Sequence, residues 1–170
     1  MRRLLPTIPV VLLALLVGAP SASAGAPERY TDSFVFSDTI DCSQFNPDWQ
    51  FNDNFTDFFE VRGQQFVDDA GNVISFIEHV QHRSNDMNSV TGFTLHEHNH
   101  FVVKGDLVAG TIGLSGAINI MQRRAAGEVI QNVGHKVFDL ETGEPLRLSG
   151  PNKAGDEDFC RAVAPSPSRP

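Results

Sequence analysis

Three histidines spaced two residues apart, His96, His98 and His100, form the one local pattern in this chain with ready chemistry. On a β-strand, residues i, i+2 and i+4 project from one face, so the imidazoles form a ladder. Neighbouring rungs stand about 6.5–7 Å apart, near enough for two to hold one ion through neutral ring nitrogens. His79, His82 or His135 on an adjacent strand could complete a four-coordinate zinc or copper site. The competing reading is a solvated polar strand face, which histidine suits with little penalty. Both readings stay open.

Acid–base chemistry has its own candidates in Glu60, Asp68, Asp69, Glu78 and Glu97. A two-carboxyl hydrolase needs such groups across a cleft. Asp68 and Asp69 belong to a turn and are expected to be solvated. Ser75, Ser89 and Ser115 lack the strand-to-helix context of a nucleophile elbow, and no phosphate-cradling glycine loop is present. Phe51, Phe55, Phe58, Phe59 and Phe66 read as core or as the wall of a ligand cavity.

The elements that must position these residues are strands. Thirteen Phe among many Val, Ile and Thr make a β-type composition. Strands are expected at Ser33–Phe36, Trp49–Phe51, Phe55–Val61, Val73–Gln81, Ser89–His98, His100–Lys104, Val108–Met121, Glu128–Val133, Lys136–Leu140 and Leu146–Leu148. Turn residues separate them at 69–72, 104–106, 125–127 and 141–144. Val108, Ile112, Leu114, Ile118 and Ile120 share one parity, which predicts a strand with one apolar face. Ile74, Phe76 and Val80 do the same against Ser75, His79 and Gln81. Such alternation belongs to an antiparallel sheet. The expected fold is all-β, an antiparallel barrel of about 8–10 strands that removes its edges by closing. A short C-terminal helical turn is expected over Asp156–Val163, where acidic residues open the segment.

Residues 1–24 read as a signal peptide. Arg2 and Arg3 precede the apolar run Val10–Val17, and Ala22 and Ala24 stand where a signal peptidase needs small side chains. Cleavage after Ala24 predicts a secreted protein, with residues 25–163 forming one domain and residues 164–170 a Pro/Ser-rich tail. In an oxidising compartment, Cys42 and Cys160 are expected to form a disulfide that ties the two ends of the domain together. The formal net charge is −8, and more negative still without the two leader arginines. That balance disfavours nucleic acid as a partner, and the apolar run is too short to span a bilayer.

Gly127-Glu128-Val129-Ile130, Gly134-His135-Lys136-Val137-Phe138-Asp139, Glu141-Thr142-Gly143-Glu144, Leu148-Ser149-Gly150-Pro151 and Asp158-Phe159-Cys160 carry a resemblance. Together with the leader and Cys42, they resemble a group of small secreted actinobacterial proteins similar to lipocalin-type and allene-oxide-cyclase-type β-barrels. The resemblance implies a barrel and transfers no catalytic residue. The leading expectation is therefore a non-enzymatic binder of a small or apolar ligand. The alternative is an isomerase or cyclase, metal-assisted through His96, His98 and His100.

Overall fold

The computed structural model describes residues 26–123 and 128–165 of the 170-residue chain. The leader, the turn expected at 125–127 and residues 166–170 of the tail lie outside them. Seven strands follow one another as an antiparallel meander: β1 (Glu28–Asp41), β2 (Asn52–Val67), β3 (Val73–Asn88), β4 (Thr94–Asp106), β5 (Thr111–Arg123), β6 (Glu128–Asp139) and β7 (Pro145–Ser149). A two-residue β8 (Asn152–Lys153) also pairs with β6, and α1 (Asp156–Val163) ends the fold. Each strand is hydrogen-bonded to its neighbours in sequence. Among the described residues no ladder joins β1 to β7, so the pairing forms a path and not a ring.

The strands are longer than the alternation suggested. Trp49–Phe51 and Phe55–Val61 do not form two strands: Phe51 precedes β2, which runs unbroken over sixteen residues. The break expected near Asn99 is absent, because β4 runs continuously through the histidine ladder. The turn expected at 104–106 moves to residues 107–110, where Gly110 takes a left-handed φ of 66°. Gly105 instead lies inside β4, with the Phe76 ring across it, so close that a Cβ would meet the ring at 2.1 Å. An aromatic covering a cross-strand glycine explains a glycine that local sequence reads as a turn.

A bulge corrects the expected faces of β5. Before it, Leu114 pairs with Lys136; beyond the shift between Ala117 and Asn119, Asn119 pairs with Asn132 and Met121 with Ile130. One extra residue reverses every later side chain. Ile120 therefore leaves the face of Ile112 and Leu114, while Asn119 and Met121 join it.

That inner face is covered at one end by α1, which touches β2, β3, β4 and β6. Asp156, Glu157 and Asp158 lie in its first turn, and Asp158 accepts the Gly155 N–H at 3.1 Å. Carboxylates at a helix start offset its positive end. Cys160, Ala162 and Val163 pack with Phe51, Leu95, Met121 and Ile130 into the main apolar cluster. Burying a side chain the size of Val163 contributes about 1.5–3 kcal/mol. Ala164, expected in the tail, is also buried, and its N–H closes the helix on Cys160 O at 3.0 Å. The Cys42–Cys160 disulfide fastens this helix to the end of β1 across a sequence separation of 118.

Candidate functional site: a buried polar chain across the sheet

Strand β3 turns an unexpected set of side chains inward. Its buried positions beyond Val80 are His82, Ser84, Asp86 and Asn88; on β4 the buried set is Leu95, Glu97, Asn99 and Gly105. Polar groups removed from water need partners, or each costs about 1–3 kcal/mol. Here most find them in one another.

Asn99 fixes the arrangement. Its Oδ1 accepts the Ile120 backbone N–H at 2.8 Å, so its Nδ2 must be the donor on the other side. That Nδ2 donates to Glu97 Oε2 at 2.7 Å and faces His82 Nδ1 at 3.3 Å. His82 Nδ1 is thus an acceptor, and the ring proton sits on Nε2, which donates to Asp57 Oδ1 at 3.0 Å. Glu97 is further held by the Asn119 side chain, and Asn132 Nδ2 donates to Asn119 Oδ1 at 3.4 Å. Lys136 Nζ closes the sequence by donating to the side-chain oxygens of Asn132 and Asn152. One polar chain therefore runs from β2 to β8, Asp57–His82–Asn99–Glu97–Asn119–Asn132–Lys136–Asn152.

Aromatic rings frame its Asp57 end. Phe34, Phe59 and His82 occupy one cross-strand row and stack face to face, with centroids 4.7 and 4.6 Å apart and planes 16° from parallel. Phe36 stands opposite Asp57 across the β1–β2 ladder, and Phe36 and Phe55 meet at 5.8 Å. The Asp57 side chain is 18 % exposed against 4 % for His82, so Asp57 is the accessible member of the pair.

Two further acids lie deeper. Asp86 accepts from Ser84 Oγ at 2.9 Å, and burial beside Asp53, Glu97 and Asp57 raises its pKa to about 8. Asp53 is fully buried; desolvation raises its pKa to about 7 against the pull of the Met87 backbone amide. Among the described residues neither Asp53 oxygen has a partner within hydrogen-bond geometry. Burial also raises Glu97 and lowers Lys136. The cluster can thus hold protons on carboxyls near neutral pH, as acid–base sites do.

The histidine ladder lies on the other face. His96, His98 and His100 are exposed, and the His98 and His100 rings are 5.6 Å apart. His96 Nδ1 meets Asn85 Oδ1 at 2.6 Å, and His98 pairs in register with Arg83, a cation where a metal site would want an anion. His82 is turned to the inner face, away from the ladder. His79 is exposed opposite Arg62, and His135 Nδ1 meets Ser115 Oγ at 2.7 Å. Among the described residues no three His, Cys, Asp or Glu side chains are placed to hold one metal ion.

The other candidates separate in the same way. Glu60 pairs with Arg83 on the outer face at 2.9 Å, and Asp68 accepts the backbone N–H groups of Ala70 and Asn72 within its turn. Glu78 accepts from Tyr30 Oη at 2.6 Å on the inner face. Alternation divides the phenylalanines, sending Phe55 and Phe59 inward with Asp53 and Asp57, and Phe58 and Phe66 outward. An open outer concavity of about 520 Å³ runs past Ser37, Thr39, Asn54, Thr56 and Asn85. Its groups bond to one another, Ser37 to Thr56 at 3.0 Å and Thr39 to Asn54 at 3.1 Å. Of the inner chain, only Glu97 and His82 stood out in the sequence; Asp57, Asn99, Asn119 and Lys136 carry no local signal.

Compared with known protein families, curated proteins and solved structures, the chain matches none of them. No helix among the described residues is long and apolar enough to cross a membrane.

Proposed function

We propose that this is an exported β-sheet cup that binds a small, largely apolar molecule carrying one hydrogen-bond donor, which meets Asp57. The carrying observation is the setting of that carboxylate: 18 % exposed, held by His82 and surrounded by Phe34, Phe36, Phe55 and Phe59. An apolar wall with one oriented polar group is the usual composition of a small-molecule site. The barrel belongs to this reading. Long antiparallel strands coil, and one helix touching β2, β3, β4 and β6 supports a sheet wrapped around its inner face. Secretion rests on the leader and is supported by the disulfide.

Native mass spectrometry and thermal shift against lipophilic amines and alcohols test the proposal. Asp57→Asn can still accept from His82, so the fold should persist while affinity falls at least about tenfold. Unchanged affinity in that variant, or a flat response across the panel, would sink the reading.

A second reading, an isomerase or cyclase, is favoured by the defined His82 tautomer. By donating its Nε2–H to Asp57, His82 orients that carboxylate to act as a base toward a substrate C–H. Incorporation of solvent deuterium into a bound ligand, lost in Asp57→Asn, separates catalysis from binding.

A further inference from the structure

The outer face carries a cationic pocket that the inner chain does not touch. Arg29, Arg62, Gly63, Gln64, Ile77 and His79 line an open concavity of about 200 Å³. Arg62 stands directly opposite His79 in the β2–β3 ladder, and Arg29 opposite Gln64 in the β1–β2 ladder. Lys104 continues the positive row from its place opposite Ile77. Arg29 and Arg62 are diagonal neighbours on one face of the β1–β2 ladder, and a sheet ordinarily relieves such like charges with an acid nearby. This chain has 21 acidic residues against 13 basic ones, yet among the described residues none pairs with Arg29 or Arg62.

The neighbouring acids are turned away or engaged. Glu28 accepts from Gln65 at 2.6 Å and Glu78 from Tyr30, both on the inner face. Glu60 holds Arg83, and Asp106 caps its own turn at the Ala109 N–H. Arg83 and Arg161 each pair with a glutamate, whereas Arg29 and Arg62 pair with no acid among the described residues. All of Arg29, Arg62, His79 and Lys104 are exposed.

We infer that Arg29, Arg62 and His79 form a binding site for a phosphate-type oxyanion. Two guanidinium forks and an imidazole around one concavity supply N–H donors, a donor set that suits a tetrahedral anion. The pocket has room for one such group and is open to solvent, so it accepts the anion free or as part of a longer chain.

Calorimetric titration of the mature protein at low salt, with inorganic phosphate, glycerol 1-phosphate and poly(glycerol phosphate), tests the site. Binding is expected at one oxyanion per chain, weakening as ionic strength rises. Arg62→Gln should lose at least about tenfold, and Arg29→Gln with Arg62→Gln should abolish binding, with unchanged melting temperature. Arg83→Gln removes the same charge from an ion-paired position and should bind as wild type. Tighter binding of the polymer assigns the anion to an envelope polyphosphate; equal binding assigns it to a free solute. Absence of binding in all three arms overturns the inference, as does an equal loss in Arg83→Gln and Arg62→Gln.

Discussion

The His82 ring lies flat against that of Phe59, centroids 4.6 Å apart, while its Nε2 edge meets Asp57. Two strands are thereby joined through one imidazole, by stacking on its face and hydrogen bonding at its rim. His82→Phe keeps the first and deletes the second, leaving Asn99 and Asp57 without their ring partner. We expect a loss of about 2–3 kcal/mol in urea unfolding. A loss below about 0.5 kcal/mol would show the bonds to be idle.

The buried acids set a pH dependence. Asp53 and Asp86 have folded pKa values of about 7 and about 8, above their unfolded range. Between the two ranges the folded state holds protons that the unfolded chain has released, so stability falls as pH rises. Each group contributes at most about 1.4 kcal/mol per pH unit. Asp41, Asp68 and Asp139 are shifted the other way by their turn hydrogen bonds and act only at lower pH. Melting temperature should therefore drop from pH 5 to pH 7, and Asp53→Asn should flatten that slope. A wild-type profile that rises over this interval would contradict the assignment.

Reduction of Cys42–Cys160 should be costly because the bond closes a long loop, its cysteines 118 residues apart. Chain entropy puts the loss at about 4–5 kcal/mol at most. The damage should start at α1, whose Val163 carbonyl also accepts from Asn88 at 3.2 Å. Hydrogen exchange under reducing conditions should show α1 opening before β3; simultaneous opening would argue against a local staple.

Deleting Ile118 removes the extra residue of the β5 bulge. Asn119 would then follow Ala117 directly, staying opposite Asn132 with its side chain inward beside Glu97, and Met121 would stay in the α1 cluster. We expect the deletion to be tolerated at a cost below about 2 kcal/mol in urea unfolding, and failure to fold would show that the bulge itself is required. Ala at His98, which is exposed, should cost under about 0.5 kcal/mol. A large effect there would restore the outer ladder as a structural or metal site.

Local chemistry alone determined the antiparallel β character, the α1 segment from its acidic start, and the pairing of the two cysteines. These depend on period, capping and an even thiol count, all of which are written within short stretches. Parity was equally legible: His96, His98 and His100 had to part from Glu97 and Asn99. Which parity faces inward was not, because both are polar and the rule that apolar residues mark the core has no purchase there. The tertiary fold decided it, through the strands on either side. It seated Glu97 and Asn99 against His82 and Asn119, and reversed the end of β5 with a single bulged residue. A polar interior is stable only when its partners converge from several strands, and that convergence has no signature along one of them.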